Sequence, residues 1–312
     1  MKVVFFGTPE FAVPTLERLV ASRHEVVLVV SKPDQPVGRH QVQTAPPVVE
    51  MAGRHGLPVT QPKGLKNERF AAELAGAGGD VAVVVAYGKL IPAELLRVPP
   101  RGFVNLHPSL LPRHRGPSPI QWALVCGDRV TGVSTMELDP GMDTGPILLQ
   151  RSVEIDPRDT AELLAPRLAR LGAELMVETL DGLEAGRIEP RAQPSVGVSV
   201  SPMLRRSFAK VDWTMPARTL VNRLRGLTPW PGLYSKLRGG RVKLFGLEEV
   251  TPPPTGDEAP GTVVAVENAG ILVRCGRGTV ARITELQREG RRRMPVDAFL
   301  IGERVTRGEL FS

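Results

Sequence analysis

The sequence has very little cysteine: only Cys126 and Cys275 occur in 312 residues, and they lie far apart. This excludes a disulfide framework and a zinc site built on clustered thiolates, and it fits a reducing compartment. Long apolar runs are also missing, since stretches such as 81–87 are far shorter than the ~20 residues of a membrane span. The apolar run at the N-terminus is followed at once by a proline and a glutamate, unlike a signal peptide. We therefore expect a cytoplasmic protein that does not bind a membrane.

Several motifs that carry common chemistry are absent. After the first apolar run, the segment 7–12 lacks the second and third glycines with which a dinucleotide-binding turn admits a pyrophosphate. No Gly-rich loop ends in Gly-Lys-Ser or Gly-Lys-Thr, and no Gly-x-Ser-x-Gly turn occurs. No two of the five histidines have metal-ligand spacing with a carboxylate. The sequence thus argues against a dinucleotide enzyme, a nucleoside triphosphatase and a serine hydrolase, and we expect no metal.

The order of predicted elements divides the chain into two domains, as its length also suggests. Strand-like apolar runs alternate with helical periodicity over residues 1–185, which predicts an α/β domain with a doubly wound sheet. A Pro-, Ser- and Gly-rich stretch over residues 190–206 is predicted to be a linker. Beyond residue 227, short Val, Leu and Ile runs separated by glycine and proline predict a small antiparallel β-barrel. We set the two domains at residues 1–189 and 207–312.

The net charge of +7 is unevenly distributed. Residues 201–312 hold 19 Lys and Arg against 11 Asp and Glu, whereas residues 1–200 hold 21 against 22. A basic half beside a neutral half favours a polyanionic partner, although an Arg-rich surface of no special function is the alternative. The candidate phosphate contacts in the basic half are Arg205, Arg206, Lys210, Arg291, Arg292 and Arg293.

One candidate site follows the predicted strand over residues 102–106. Strand alternation places Asn105 and His107 on the same face, at the carboxyl end of the strand, where open α/β sheets bind ligands. Asparagine offers an amide donor to an oxyanion, and histidine can carry a proton near neutral pH. The alternative is that His107 has a structural role only, as a hydrogen-bond partner for the backbone of a buried loop.

A second segment, residues 138–146, supplies a carboxylate that could act on this histidine. From its polar, Gly-rich loop, Asp143 could fix the orientation of His107 and favour the protonated form of the ring. An Asp-Gly turn between hairpin strands explains Asp139-Pro140-Gly141 equally well, but a second turn signal at Asp143-Thr144-Gly145 is redundant for that purpose. The pattern leaves both interpretations open.

These segments resemble the formyltransferases that use 10-formyltetrahydrofolate. In the N-terminal half, the resemblance is carried by Val3-Val4-Phe5-Phe6-Gly7-Thr8-Pro9-Glu10-Phe11-Ala12, Asn105-Leu106-His107-Pro108-Ser109-Leu110-Leu111-Pro112, Arg115-Gly116, Pro119-Ile120-Gln121, Gly127-Asp128, Met136-Glu137-Leu138-Asp139 and Gly141-Met142-Asp143-Thr144-Gly145. In the C-terminal half, the resemblance is specifically to the methionyl-tRNA formyltransferases. It is carried by Lys210-Val211-Asp212-Trp213, Arg225, Pro229-Trp230-Pro231-Gly232 and Ile283-Thr284-Glu285-Leu286-Gln287.

The resemblance implies a Rossmann-like domain followed by an OB-fold-like, tRNA-binding barrel. It also implies transfer of the formyl group of 10-formyltetrahydrofolate to the α-amine of methionine on initiator methionyl-tRNA, by direct attack through a tetrahedral intermediate. By the same resemblance, Asn105 would stabilise the oxyanion, His107 would assist charge stabilisation and proton transfer, and Asp143 would orient His107 and manage its proton. The tetrahydrofolate derivative would lie against Ser109, Leu110, Leu111, Pro112, Ala86, Tyr87, Gly88 and Leu90.

The long Pro-rich loop over residues 32–47 resembles the loop with which this family contacts tRNA, and Arg39 is its main candidate contact. The sequence leaves two alternative functions open. One is an enzyme that formylates an amino sugar nucleotide or only hydrolyses the formyl-folate, and the other is an RNA-binding protein without catalysis. The basic C-terminal half and its tryptophan motifs argue against the first alternative. We expect a monomer.

Overall fold

A computed structural model of the protein describes residues 1–38 and 41–312, and within these residues the chain forms two compact units. The N-terminal unit comprises Met1–Pro119, Val130–Glu154 and Ala165–Pro202, and the C-terminal unit comprises Ile120–Arg129, Ile155–Leu164 and Met203–Ser312. The stretches 120–129 and 155–164 thus belong to the C-terminal unit, although they lie within the sequence range predicted for the first domain.

The first nine strands lie in the N-terminal unit. In chain order they are β1 (Lys2–Gly7), β2 (Glu25–Val30), β3 (Gln35–Val37), β4 (Val42–Thr44), β5 (Val59–Thr60), β6 (Val81–Val85), β7 (Phe103–His107), β8 (Val130–Glu137) and β9 (Ile147–Glu154). The first five helices in the chain are α1 (Val13–Val20), α2 (Pro47–Arg54), α3 (Glu68–Gly76), α4 (Pro119–Cys126) and α5 (Ala161–Glu184). Within the segment predicted to be a long loop, β3 and β4 form a short antiparallel pair.

A seven-stranded sheet organises the N-terminal unit, in the order β5-β2-β1-β6-β7-β8-β9. The first five strands in this order pair in parallel, and every residue of β6 is buried, as expected for a central strand covered on both faces. The two remaining strands pair antiparallel, β8 with β7 and β9 with β8. From β1 the chain first builds β2 and β5 on one side and then returns to place β6 on the other side of β1. The sheet therefore has a switch point at the carboxyl ends of β1 and β6.

The C-terminal unit contains an antiparallel sheet. Its elements are α6 (Ala217–Leu227), β10 (Leu233–Leu237), β11 (Gly240–Glu249), β12 (Val263–Glu267), β13 (Gly270–Arg274), β14 (Val280–Arg288), β15 (Met294–Pro295) and α7 (Val296–Gly302). The strands follow the order β10-β11-β14-β13-β12, with β15 on β14. Leu220, Leu224 and Leu227 turn one side of α6 into the core, because they recur at helical spacing. Trp122 of α4 also packs on this core, and its ring lies edge-on to that of Phe208 with the ring centroids 5.9 Å apart.

The predicted fold class is confirmed: an α/β unit with a doubly wound sheet is joined to a second unit with an antiparallel sheet. Closure of the second sheet into a barrel stays a prediction. Within the described part of the chain, no helix has both the length and the apolar character needed to cross a membrane.

Candidate active site

Asn105 and His107 lie near the carboxyl end of β7, which runs beside β6 in the sheet of the N-terminal unit. Asn105 pairs with Val84 on one side and with Met136 on the other, so its backbone is fixed by two neighbouring strands. Its side chain is half-buried and makes no hydrogen bond to any described residue. The amide of Asn105 can therefore donate to a ligand on the face that it shares with His107.

The ring of His107 is buried, and both of its nitrogens have defined neighbours. Nε2 lies 2.9 Å from the carbonyl oxygen of His114, and Nδ1 lies 3.7 Å from Oδ2 of Asp143. Because a carbonyl can only accept, Nε2 carries the proton and donates to it, which leaves the lone pair on Nδ1. Nδ1 is therefore the basic atom of this ring, and it faces a carboxylate.

Burial lowers the pKa of His107, and this effect outweighs the Asp143 carboxylate and the bond to the His114 carbonyl, which both raise it. From the sequence, Asp143 is expected to favour the protonated ring. The carboxylate does act in that direction, but burial lowers the pKa of His107 by more than Asp143 raises it, so the resting ring is neutral at pH 7. The site thus combines a neutral base with an anion placed to stabilise the charged ring once a proton arrives.

Asp143 occupies a strained turn that several contacts hold in place. Its backbone has a φ of 54°, in the left-handed region that non-glycine residues seldom adopt. Its Oδ2 accepts a hydrogen bond of 2.7 Å from the backbone N–H of Gly116. The following Gly145 packs so closely on the carbonyl oxygen of Glu137 that a Cβ there would collide with it. This contact explains the second turn signal, because only glycine allows the loop to pass so close to β8.

The four residues Ser109–Pro112, predicted to line the folate site, form a turn that is largely closed by internal bonds. The hydroxyl of Ser109 is buried and donates to the Arg113 carbonyl at 2.7 Å. Leu111 packs in a small cluster with Met136 and Ile147, Pro112 is buried and Leu110 is half-buried.

The other predicted folate segment follows β6 at the switch point. Ala86 and Gly88 both have positive φ, 47° and 73°, and both are exposed. Tyr87 points inward, and burial raises the pKa of its phenol to about 12. Leu90 is 80 % exposed. The exposed backbone around Ala86 and Gly88 can offer hydrogen-bonding groups to a ligand.

The residues predicted to contact tRNA differ in their charge partners. The side chains of Arg205, Arg206, Arg291 and Arg292 are exposed and form no ion pair with any residue in 1–38 or 41–312. Lys210 is exposed and interacts electrostatically with Asp212. Arg293 is paired with Glu285 through two short hydrogen bonds of 2.6 and 2.5 Å. Arg39 lies outside the described residues.

Residues 191–201 also contribute to this site, and the sequence motifs did not predict their contribution. Ser199 and Ser201 bond the turn that contains His114 and Arg115, and Gln193 bonds the loop of Asp143. The available signal was the alternation of valines at 196, 198 and 200 with small residues, which is typical of an extended segment with two different faces.

Comparison with known proteins identifies the family. The family model "Formyl transferase" matches residues 1–180, and "Formyl transferase, C-terminal domain" matches residues 203–304. The methionyl-tRNA formyltransferase of Acidobacterium capsulatum is 47 % identical over 303 residues, which cover 97 % of this chain and 96 % of that protein. The methionyl-tRNA formyltransferase of Trichlorobacter lovleyi is 42 % identical over 309 residues, with 99 % and 96 % covered.

Solved structures share the fold. The sugar 3N-formyltransferase WlaRD superposes with a TM-score of 0.68 at 15 % identity, over 94 % of this chain and 99 % of that one. HypX from Aquifex aeolicus, solved in complex with tetrahydrofolic acid, superposes with a TM-score of 0.58 at 18 % identity, over 96 % of this chain and 46 % of that one. The two family models and the full-length relatives show that the chain belongs to the formyltransferase family and, within it, to the methionyl-tRNA formyltransferases.

Proposed function

We propose that this enzyme transfers the formyl group of 10-formyltetrahydrofolate to the α-amine of methionine on initiator methionyl-tRNA, acting as a cytoplasmic monomer in translation initiation. The observation that carries the mechanism is the basic Nδ1 of His107, which faces the Asp143 carboxylate at 3.7 Å while Nε2 is tied to a backbone carbonyl. A proton acceptor with an anion already beside it suits a reaction in which an amine must lose one proton, because the anion stabilises the protonated acceptor.

In the proposed reaction, the amine nitrogen attacks the formyl carbon and the carbonyl electrons move to oxygen. The amide of Asn105 donates a hydrogen bond to the resulting oxyanion, which is stronger in this state than to the starting formyl oxygen. Nδ1 of His107 accepts the amine proton, and Asp143 stabilises the imidazolium that forms. The oxyanion then re-forms the carbonyl, and the bond between the formyl carbon and N10 breaks. N10 keeps the electron pair of that bond and takes the proton back from the His107 imidazolium. The products are formylmethionyl-tRNA and tetrahydrofolate.

The folate is proposed to lie along the exposed backbone of Ala86 and Gly88, with Tyr87 and Leu90 beside it, and to contact the turn at Ser109–Pro112. No metal takes part in the proposed steps. The tRNA phosphates are proposed to contact Arg39 in the N-terminal unit and the basic residues of the C-terminal unit, which are Arg205, Arg206, Lys210, Arg291, Arg292 and Arg293.

A formyl-transfer assay tests this proposal. Purified enzyme is supplied with 10-formyltetrahydrofolate and either initiator methionyl-tRNA, free methionine or an amino sugar nucleotide, and formylated product is measured at several salt concentrations. We expect product only with the tRNA, and a KM for tRNA that rises steeply with salt because bound phosphates release counterions. Formylation of the sugar nucleotide alone, or hydrolysis of the formyl-folate without transfer, would contradict the proposal.

A further inference from the structure

Residues 191–201 lie between the two segments that match the family models, which end at residue 180 and begin at residue 203. In the structure this segment runs along the candidate active site. Arg191 exchanges two backbone hydrogen bonds with Ile147 at the start of β9, at 2.7 and 2.8 Å. Near its other end, the N–H of Arg115 donates to the Ser199 carbonyl at 2.9 Å and the N–H of Ser201 donates to the Arg115 carbonyl at 2.7 Å. The segment is thus anchored on both sides of the Asp143 loop.

Gln193 joins the two parts of the site from within this segment. Its Nε2 donates to the backbone carbonyls of Asp143 and Gly145, both at 2.8 Å. Its Oε1 accepts from Nε and Nη2 of Arg115 at 2.9 and 2.7 Å. The amide N–H groups of Gln193 therefore bind the loop that carries Asp143, and its amide oxygen binds the turn that holds His107.

Ser201 acts on the histidine side of the site. Its hydroxyl is buried and lies within hydrogen-bond distance of two carbonyls of the same turn, those of Arg115 at 3.0 Å and His114 at 3.1 Å. The His114 oxygen is the one that accepts from Nε2 of His107. His114 and Asp143 both have left-handed backbone, with φ of 56° and 54°. A non-glycine residue holds such a conformation only when its surroundings impose it, and in both cases a side chain of the 191–201 segment binds the carbonyl.

We propose that Gln193 is a positioning residue for formyl transfer, which keeps the Asp143 carboxylate opposite Nδ1 of His107, with Ser201 holding the carbonyl that orients the ring. This inference rests on the roles proposed above for His107 and Asp143. Gln193 touches neither substrate nor reacting atoms in this role. Because the attraction between Asp143 and the imidazolium depends on their separation, a looser loop weakens the stabilisation that is needed only in the transition state.

Two substitutions separate positioning from simple structural support. Gln193→Met keeps the length of the side chain and removes all of its hydrogen bonds. Gln193→Glu keeps an acceptor for Arg115 but cannot donate to the carbonyls of Asp143 and Gly145. We expect both variants to lower kcat about 10-fold or more, with KM for the folate changed by less than about threefold, because the lost interaction acts in the transition state.

The pH profile provides a readout that a merely structural role would not move. The titratable groups beside His107 are Asp143 and His114. Loosening Asp143 removes an influence that raises the pKa of His107, so the acid limb of kcat should move to lower pH in Gln193→Met. Asn67→Ala serves as the control: it removes the cap that accepts from the Phe70 N–H at 2.7 Å in α3, should lower Tm, and should leave kcat and its pH profile unchanged.

Asp143→Asn assayed in parallel distinguishes the possible failures. If Asp143→Asn loses kcat but Gln193→Met and Gln193→Glu keep it, the inference about Gln193 is wrong and the proposed function stands. If Gln193→Glu keeps kcat while Gln193→Met loses it, Gln193 acts through Arg115 alone and the inference is also overturned. If Asp143→Asn itself keeps kcat, the proposed roles and this inference fall together. Should Gln193→Met not fold, Gln193→Glu and Ser201→Ala decide, each being expected to lose kcat with unchanged folate KM.

Discussion

Replacing Asp143 by asparagine measures how much its charge contributes to turnover. In the structure, Oδ2 of Asp143 accepts from the Gly116 N–H at 2.7 Å and lies 3.7 Å from Nδ1 of His107. Asp143→Asn keeps an oxygen that can accept from Gly116 but removes the negative charge beside the ring. The side chain of Asp143 is 17 % exposed and that of His107 is 5 % exposed, so salt screens the pair only weakly. The substitution therefore changes the charge with little change in shape.

The size of the effect follows from the distance. For two unit charges 3.7 Å apart, an effective dielectric constant of about 20 gives an attraction of about 4.5 kcal/mol. The pair is complete only when His107 is protonated, so this energy favours the transition state over the neutral resting ring. Since about 1.4 kcal/mol corresponds to a factor of 10 in rate, a full loss equals roughly a thousandfold. The amide dipole retains part of the interaction, so we expect kcat to fall about 100- to 1000-fold, with the KM for folate nearly unchanged.

The same substitution should change the pH dependence in a defined direction. Burial holds the pKa of His107 below its ordinary value, so the ring is neutral and active above that pKa, and activity is lost as the pH falls through it. The Asp143 carboxylate raises this pKa, and its removal lowers it further. The acid limb of kcat should therefore move to lower pH in Asp143→Asn, while the plateau falls.

Single-turnover formylation of methionyl-tRNA, with folate saturating, is the assay. Asp139→Asn is the matched control, because it makes the same charge change in the same loop and its amide oxygen can still accept from Gly141 N–H and the Thr144 hydroxyl. We expect the control to keep kcat within about threefold, the range of a surface change. Nearly full turnover in Asp143→Asn, or an equal loss in both variants, would contradict the role proposed for the Asp143 charge.

Three further outcomes are expected. Asn105→Ala should lower kcat about 100-fold or more with little change in Tm, because its half-buried amide has no described hydrogen bond to lose; unchanged single-turnover rates would exclude the oxyanion role. Gly145→Ala should displace the Asp143 loop and lower kcat at least as much as Asp143→Asn, and an active variant would show that the loop tolerates the added Cβ. Replacing Arg291 and Arg292 together by Ala should reduce the slope of log affinity for tRNA against log salt by about two. Arg293→Ala should change the slope less, because Arg293 is already paired with Glu285. Titrations of tRNA at several salt concentrations measure both slopes.

Local sequence patterns predicted the elements that carry the site. The alternation that placed Asn105 and His107 on one face depends only on the two-residue period of a strand, and β7 has that geometry. The apolar run that forms β6 is typical of a central strand for the same local reason. The position of both strands' carboxyl ends at one edge of the sheet then followed from the alternation of strands and helices.

The protonation of His107 could not be predicted in this way. The sequence supplied a carboxylate that favours a charged ring, and the structure brings Asp143 to 3.7 Å from Nδ1. The pKa is nevertheless lowered, because the elements packed around His107 exclude water from the ring. Desolvation depends on all of these neighbours at once, and no spacing along the chain encodes it.

The two kinds of sheet, the strand that presents Asn105 and His107, and the family of the chain could all be inferred from the amino-acid sequence. Two features emerge only in the folded molecule: residues 120–129 pack with the C-terminal unit, and Gln193 and Ser201 form hydrogen bonds with the Asp143 loop and the His114 turn. The difference lies in the range of the interactions. Periodicity and turn chemistry act between residues a few positions apart, whereas these contacts join segments that are distant in the chain and meet only when the whole unit packs.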